Sequence, residues 1–384
     1  MSDDKSGFLV ENRMSPTPLV LLLALCRQLL FCLVSSGLLI SLASAGELRL
    51  KQERTLELPF NARTLAWHPD SKTLAAGGWS GMLTVWDALT GKLIRDLKQP
   101  NNAQIGEIQY SKDGKFLAVG KSMPGRKQAY LSIFDASTLQ VIDKLESPKM
   151  LEGERANVSL RSLSIDPTTS RRIVLSSYVT GKDPVIFMTG NKITHAVTLS
   201  SPESLDNVQK VAFSPTGKLF AVGRLNSEID FYSADTGQLV NSIAAFSSDW
   251  WLRAMTYSPD GNFIFAASNT GAGRGSLDRT TGTWLDRKNN EPIKMWDTQT
   301  LILVRTFDTR GQDIESLDTS PDGRLLFAGI SNGQVIVWDV SSGVEFKRFK
   351  PSKNYTIVKV SPDGKHLATS DTGSTQVKIW SITQ

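Results

Sequence analysis

The stretch that decides the fold is residues 320–339, SPDGRLLFAGISNGQVIVWD. It opens with Ser-Pro-Asp-Gly, continues with a short apolar run, and ends a second apolar run in Trp-Asp. Because proline presets φ and glycine accepts positive φ, the opening tetrapeptide predicts a tight turn. The apolar runs are short and bounded by turn residues, which is typical of β-strands.

The same pattern occurs seven times between residue 54 and the C-terminus. The turns are Trp67–Asp70, Ser111–Gly114, Ile165–Pro167, Ser214–Gly217, Ser258–Gly261, Ser320–Gly323 and Ser361–Gly364. The third strands are predicted to end at Trp86-Asp87, Phe134-Asp135, Phe187, Tyr232, Trp296-Asp297, Trp338-Asp339 and Trp380-Ser381. One such unit exposes both faces of its sheet, so we expect the repeats to stack and bury each other.

Residues 54–384 resemble the WD-repeat family, with Ser-Pro-Asp-Gly turns of the kind found in bacterial members. The resemblance implies an all-β fold, a seven-bladed β-propeller spanning residues 46–384. The chain departs from the family by lacking the Gly-His pair that usually opens each repeat, since its histidines are His68, His195 and His366. The third repeat, with Phe187-Met188 in place of Trp-Asp, is the most degenerate.

The seventh repeat stops after its third strand and lacks a fourth. Thr55–Phe60 is expected to supply it, a device that WD-repeat propellers share and that removes an open sheet edge. Pairing the first strand with the last blade would tie the chain ends together.

The N-terminal segment predicts export. Residues 19–42 are almost uninterrupted in apolar side chains, and Ala43-Ser44-Ala45 follows them. This pattern favours a hydrophobic helix within a signal peptide of residues 1–45, cleaved near Ala45, and hence a periplasmic or secreted protein. The alternative is a retained membrane anchor formed by residues 19–42, which are numerous enough to span a bilayer.

Charge and cysteine content constrain the partners. The formal net charge is +5 over 384 residues, which favours anionic partners only weakly and does not favour nucleic acid. Both cysteines lie in the N-terminal segment, at Cys26 and Cys32, so the exported body needs no disulfide. We expect a monomeric propeller that meets a membrane only through an uncleaved N-terminal segment.

Insertions are predicted to share one face of the ring. In an antiparallel four-stranded blade, second-to-third and fourth-to-first connections lie at the same end, and the insertions Lys121–Ala129, Gly271–Pro292, Asp143–Asn157 and Ser242–Trp250 belong to these types. Long loops on one face of a rigid scaffold usually bind partners. The largest, with Arg274 and Trp284, is a candidate recognition arm. The alternative is solvent-exposed chain without a binding role.

A ring of side chains is expected at the channel mouth on that face. Six residues before the turn proline, the repeats carry Arg63, Arg161, Gln209, Arg253 and Glu315. With Trp250 and Trp251 nearby, the three arginines resemble a protein-interaction hot spot. The alternative is that each arginine pairs with an acid of a neighbouring blade, such as Glu107 or Glu315.

Histidine and cysteine motifs of catalysis or metal binding are missing from the sequence. It contains no His-Glu-x-x-His and no cysteine pair with metal-ligand spacing, and the histidines have no spaced partners. We therefore expect no cofactor, no metal and no catalysis. The leading hypothesis is an extracytoplasmic platform that binds or assembles protein partners. The alternative is a small-ligand-binding or hydrolytic propeller acting through its central channel.

Overall fold

A computed structural model of the chain describes residues 48–99, 103–122, 130–146, 159–169, 172–178, 184–189, 192–198, 208–246, 251–269 and 291–383. These residues all belong to one compact unit, Leu48–Thr383. The expected N-terminal helix and the signal peptide or anchor of residues 1–45 lie outside them. In the described ranges, no helix has the length and apolar character needed to cross a membrane.

Every regular element of the described residues is a β-strand. The first fourteen strands are β1 Arg49–Glu57, β2 Ala62–Trp67, β3 Thr73–Gly78, β4 Met82–Asp87, β5 Lys92–Lys98, β6 Gln104–Tyr110, β7 Phe116–Ser122, β8 Tyr130–Asp135, β9 Val141–Glu146, β10 Ser159–Ile165, β11 Arg172–Tyr178, β12 Pro184–Thr189, β13 Lys192–Thr198 and β14 Val208–Phe213. The others are β15 Leu219–Arg224, β16 Glu228–Ser233, β17 Leu239–Ala244, β18 Trp251–Tyr257, β19 Phe263–Asn269, β20 Ile293–Asp297, β21 Leu303–Phe307, β22 Ile314–Thr319, β23 Leu325–Ile330, β24 Val335–Asp339, β25 Glu345–Phe349, β26 Thr356–Val360, β27 His366–Asp371 and β28 Gln376–Thr383.

The strands form antiparallel meanders that follow the predicted repeats. Repeats 1 to 6 comprise β2–β5, β6–β9, β10–β13, β14–β17, β18–β21 and β22–β25, and repeat 7 comprises β26–β28 with β1. The first strands of successive repeats contact one another around a closed circle, from β2 through β6, β10, β14, β18, β22 and β26 back to β2. The all-β propeller expected from the sequence is therefore confirmed.

The number of blades needs a correction. The described strands form six sheets, five of four strands and one of eight, whereas seven separate blades were predicted. Repeats 2 and 3 share the large sheet because Ser122 of β7 pairs with Ser159 of β10. Glycine makes this approach possible, since a methyl group on Gly106 would lie 2.9 Å from the carbonyl oxygen of Leu160 and one on Gly120 would lie 2.5 Å from the Leu160 side chain.

Ring closure by the N-terminal strand is confirmed, with different strand limits. β1 pairs with β28 from Arg49 opposite Thr383 to Glu57 opposite Gln376, so the strand begins six residues earlier than predicted. Residues 58–60 lie beyond its end, but Leu58 and Phe60 are buried with Leu56 in an apolar cluster that joins repeats 7 and 1. The end of the meander and the start of the chain therefore share one core.

The predicted turns owe their shape to serine and aspartate side chains. In repeat 6, Ser320 Oγ donates to Asp322 Oδ1 at 2.5 Å and accepts a hydrogen bond from the Leu325 amide at 2.9 Å. The same pair of bonds occurs at Ser111 and at Ser361. Third strands end at Asp87, Asp135, Asp297 and Asp339 as predicted, whereas β12 and β28 run two residues further than expected, to Thr189 and Thr383.

Candidate partner-binding site at the channel mouth

A β-bulge sets the direction of the predicted ring residues. Six of the first strands, β2, β6, β10, β14, β18 and β22, skip one residue in their pairing with the next strand. The skipped residues are Arg63, Gly106, Arg161, Gln209, Arg253 and Glu315. Because a bulge leaves its extra residue unpaired and turns it out of the ladder, all five residues predicted for the ring are re-aimed in the same way.

Arg63 stacks on a tryptophan that the sequence analysis did not single out. The Arg63 Cζ lies 4.1 Å from the ring centroid of Trp79, within the range of a cation–π contact. Trp79 is 48% exposed and lies in the tight turn between β3 and β4. The signal in the sequence is Gly77-Gly78-Trp79-Ser80-Gly81, since a large aromatic inside so short a turn cannot reach the core.

Arg253 is held by the neighbouring repeat. Its Nε and Nη2 donate to Glu315 Oε2 at 3.0 and 2.7 Å. The Arg253 side chain is 50% exposed, whereas that of Glu315 is 6% exposed. Burial raises the pKa of Glu315 above its ordinary value, and Arg253 opposes this shift. The alternative of arginine pairing with a neighbouring acid therefore holds for Arg253.

Glu107, the other acid named as a candidate partner of the arginines, forms an ion pair with a lysine. Lys210 Nζ lies 3.2 Å from Glu107 Oε2, and these residues belong to repeats 4 and 2. Each follows the bulge position of its strand by one residue, so both side chains point into the ring from opposite sides of repeat 3. The first strands are close enough at the mouth for a lysine to cross one repeat.

Arg161 and Arg253 both lie within electrostatic range of Arg63. Burial lowers the pKa of the Arg63 guanidinium, repulsion from Arg253 and Arg161 lowers it further, and attraction by Glu107 acts in the opposite direction. The three guanidinium groups come from repeats 1, 3 and 5.

The other predicted site residues divide into two groups. Trp251 is described, begins β18 two residues before Arg253, and is 49% exposed. Trp250, Arg274 and Trp284 lie outside the described residues. No observation on the described residues tests whether any of the predicted residues contacts a partner.

The order of the strands shows which connections between strands contain the insertions. Residues 123–129 and 270–292 join second to third strands, and residues 147–158 and 245–250 join fourth to first strands, as predicted. Three of the four connections begin later in the chain than predicted. Their first predicted residues belong to strands: Lys121 and Ser122 to β7, Asp143–Glu146 to β9 and Ser242–Ala244 to β17.

Small polar residues that the sequence analysis missed join the first strands of successive repeats. Each accepts a hydrogen bond from a backbone amide of the next first strand. The pairs are Thr64 with Ile108, Gln109 with Ile165, Ser162 with Val211, Ser164 with Phe213, Ser316 with Val358 and Asp318 with Val360. These bonds satisfy amides on the channel side of the strands and hold the ring residues in register.

Side chains that could ligate a metal do not cluster in the described part of the chain. Among the residues that the structure describes, no three histidine, cysteine, aspartate or glutamate side chains are grouped to hold an ion. His68 Nε2 lies 2.9 Å from the Gly114 carbonyl oxygen, and its Nδ1 accepts from the Asp70 amide, so this histidine is part of a turn.

Comparison with known proteins gives three matched segments. Residues 184–258 match the family model of the anaphase-promoting complex subunit 4 WD40 domain, and residues 52–87 and 302–339 match that of the WD domain, G-beta repeat. A guanine nucleotide-binding protein subunit beta of Solanum tuberosum is 25% identical over 333 residues, which cover 83% of this chain and 80% of that protein.

Two further relatives are matched over a smaller share. WD repeat-containing protein SL1-17 of Schistosoma mansoni is 28% identical over 178 residues, which cover 46% of this chain and 50% of that protein. WD repeat-containing protein 1 of Bos taurus is 25% identical over 250 residues, which cover 64% of this chain and 35% of that protein. The chain thus spans half of the first protein and about a third of the second.

Proposed function

We propose that this chain, a WD-repeat β-propeller by its fold and its matches, is a non-catalytic extracytoplasmic platform that binds a protein partner at the channel mouth. WD-repeat proteins generally act as protein-interaction platforms, and the relatives matched by this chain are named as WD-repeat proteins or as G-protein beta subunits. The mouth of the ring is the part of the molecule that supports this function best.

The place of Arg63, Arg161 and Arg253 at equivalent bulges of three first strands is the observation that carries the proposal. Bulges aim all three side chains out of their ladders, and exposed Trp79 and Trp251 accompany two of them. Arginine and tryptophan are the residues most enriched at the energetic centres of protein interfaces. The insertions belong to the second-to-third and fourth-to-first connections, which lie at the same end of the meanders as the bulges.

The extracytoplasmic location rests on the N-terminal sequence alone. Cell fractionation followed by N-terminal sequencing of the purified protein tests it. Cleavage near Ala45 yields a mature protein that begins at Gly46 outside the cytoplasm. An intact N-terminus in a membrane fraction would support the anchor formed by residues 19–42, and a cytoplasmic intact chain would contradict export.

Partner recovery tests the site. Tagged full-length protein is used to isolate partners from the native host, beside the R63E/R161E/R253E variant and a charge-matched control, K72E/K92E/K365E. The control lysines are exposed and lie at the opposite end of the meanders. We expect a partner to be recovered with the wild type and the control, and lost with the arginine variant.

Two results would contradict the proposal in different ways. Equal recovery with the arginine variant would show that the partner does not bind at the channel mouth, although the protein would still bind a partner elsewhere on its surface. Recovery of no protein above the level of untagged host extract would contradict the platform itself. No observation on the described residues favours the alternative of a small-ligand-binding or hydrolytic propeller.

A further inference from the structure

We infer that the end of the ring opposite the channel mouth docks on a lipid bilayer, with exposed aliphatic side chains of the fourth strands in contact with the lipid. These side chains, the aliphatic rim, are Ile94 of β5, Ile142 of β9, Val240 of β17 and Val304 of β21, each with the apolar residue before it. The inference goes beyond the proposed function, because it concerns the other end of the molecule and leaves the channel mouth open to a protein partner. It also adds a second membrane contact to the N-terminal segment expected from the sequence.

Bulges in the fourth strands expose the aliphatic rim. Ile94, Ile142, Val240 and Val304 are the residues that these strands skip in their pairing with the third strands. Successive side chains of a regular strand point to opposite faces of the sheet, whereas a bulge re-aims its extra residue. The four skipped residues are 46–57% exposed, and the apolar residues before them are 40–54% exposed. Each of the four strands therefore presents two neighbouring aliphatic side chains to the outside.

The start of the described chain lies at the same end of the ring. Fourth strands begin at the end opposite the channel mouth, where the third strands end. Arg49, the first residue of β1, pairs with Thr383 at the end of β28 and so occupies the equivalent place. Six residues, 43–48, separate Arg49 from the apolar residues 19–42, and a chain of this length spans at most about 25 Å. Residues 19–42, if retained in a bilayer, would therefore hold the aliphatic rim, rather than the channel mouth, next to the lipid.

The type of exposed apolar side chain differs between the two ends of the ring. In the described ranges, every exposed large aliphatic side chain lies in a third-to-fourth turn or in the first three residues of a fourth strand. The exposed aromatic side chains, Trp79, Trp251 and Tyr355, lie at the end of the channel mouth. Interfaces between proteins have a compact centre rich in aromatic residues. The aliphatic rim has no such centre, because its pairs are distributed over repeats 1, 2, 4 and 5, and a flat, fluid surface can contact them together.

A second copy of the chain fits the aliphatic rim less well than lipid does. Extension of a sheet from one copy into another needs a regular edge, and each rim pair lies at a bulge that interrupts the edge. Charges of both signs surround the rim, among them Lys92, Arg95, Asp87 and Asp297. Because these charges oppose one another, the contact depends on apolar side chains, and we expect docking on neutral lipid with little dependence on salt.

Fluorescence quenching by lipid tests the inference on the full chain. Cell-free synthesis in the presence of phosphatidylcholine vesicles, which contain no signal peptidase, gives the whole protein in a bilayer. Cys26 and Cys32 are replaced by serine, and a single cysteine, introduced by Ile94→Cys or Tyr355→Cys, carries a nitrobenzoxadiazole label. Phosphatidylcholine with a doxyl group near the top of its acyl chain is the quencher. We expect a large loss of fluorescence for the label at 94, at low and at high salt, and no loss for the label at 355.

Matched variants separate contact of the rim with lipid from proximity to it. I142E/V240E/V304E places carboxylates in the rim of repeats 2, 4 and 5, and Q140E/Q238E/Q299E adds the same charge at exposed glutamines of the adjacent turns. Circular dichroism and the thermal midpoint confirm that each variant is folded. We expect quenching at 94 to be lost in the rim variant, because a charged side chain resists burial among apolar groups, and to be kept in the glutamine variant.

Several results would overturn the inference. Absence of quenching at 94 in the chain without rim substitutions, or equal quenching at 94 and 355, would show that the rim does not rest on the bilayer. Equal quenching in the rim and glutamine variants would show that the N-terminal segment alone brings the ring to the lipid. Energy transfer between differently labelled chains in one vesicle, lost in the rim variant, would assign the rim to a second copy. None of these results bears on the arginines of the channel mouth, whose test is partner recovery.

Discussion

Single residues in the turns act between repeats as well as within them. A methyl group on Gly217 of repeat 4 would lie 2.6 Å from Asp166 Oδ1 and 2.7 Å from Thr168 Oγ1 of repeat 3. Asp166 is fixed in place by Arg172, whose Nη2 also donates to the Gly217 carbonyl oxygen at 2.8 Å. Gly323 has the same left-handed φ, but the nearest atom to its methyl position is Pro259 Cδ at 3.6 Å, an ordinary contact.

Replacing each of these two glycines with alanine should separate the cost of a left-handed backbone from the cost of a steric clash. Gly323→Ala places a side chain at φ 72° without a clash, and we expect it to lower the free energy of unfolding by about 1–2 kcal/mol. Gly217→Ala adds the clash with Asp166 and Thr168, so its loss should be larger. Urea denaturation of both variants measures the difference. Equal losses would mean that the neighbouring turn moves aside at no cost.

Acid should weaken the turn that follows β8. Asp135 Oδ1 accepts from the Ser137 hydroxyl at 2.7 Å and the Thr138 amide at 2.8 Å, and these bonds lower the pKa of Asp135 from 3.8 to about 2. Because the folded pKa lies below the ordinary value, the stabilisation is complete above about pH 5 and is lost as the pH falls toward 2.

Asp135→Asn tests this dependence, because it keeps an acceptor oxygen and removes the charge. The thermal midpoint of the wild type should exceed that of the variant at neutral pH, and the difference should shrink between about pH 5 and pH 2. A difference that stays constant over this range would show that ionisation of Asp135 does not contribute.

At the scale of strands, β-bulges occur in both the first and the fourth strands of the repeats. In the described part of the chain, six of the seven first strands carry a bulge at the mouth, and every fourth strand carries one, at the middle of β1 and near the start of the others. The skipped residues of the fourth strands in the described part of the chain are Glu53, Ile94, Ile142, Thr194, Val240, Val304 and Phe346. The inner bulge aims ring residues, and the outer bulge interrupts an edge that another strand could otherwise extend.

The strand that closes the ring supplies a prediction at the scale of elements. Leu56 of β1 is 1% exposed and lies in the cluster that joins repeats 7 and 1. Leu56→Ala should therefore lower the free energy of unfolding by about 2–5 kcal/mol. The exposed Lys51 of the same strand is the control, and Lys51→Ala should have little effect. Similar small losses for both would show that β1 contributes little to closure.

At the scale of the whole molecule, ion pairs connect different repeats, both neighbours in the chain and repeats separated by another. The Lys210–Glu107 pair joins repeats 4 and 2, and the Arg253–Glu315 pair joins repeats 5 and 6. Apolar clusters lie between successive repeats around the ring, as between repeats 5 and 6, where Phe265, Phe307 and Trp338 are buried together. Apolar contacts between the sheets therefore stabilise the ring, and ion pairs link repeats to one another at its mouth.

Charge reversal measures the pair across the mouth. Glu107→Lys leaves Lys210 without its partner and adds a cation near Arg63, so it should lower the free energy of unfolding by about 1 kcal/mol. Adding Lys210→Glu should recover most of the loss. Lys115→Glu is the control, because the Lys115–Asp113 pair is 3.9 Å long and exposed. Additive effects of the two substitutions would show that Glu107 and Lys210 are not coupled.

Much of this architecture is present in local sequence. Ser320-Pro321-Asp322-Gly323 and the runs after it determine a turn and two strands through φ preferences and short-range hydrogen bonds, and their recurrence determines the propeller. The bulge position could also be predicted, because Arg63, Arg161 and Arg253 stand at a constant distance from the turn proline.

Contacts between separate strands and turns were decided only by the tertiary structure. Trp79 under Arg63, Lys210 beside Glu107, and the merging of repeats 2 and 3 into one sheet all depend on how closely neighbouring strands approach. The limits of β1 depend on β28, which lies more than 300 residues away in the chain. Local patterns specify backbone conformation over a few residues, whereas these contacts are set by the packing of segments that only the closed ring brings together.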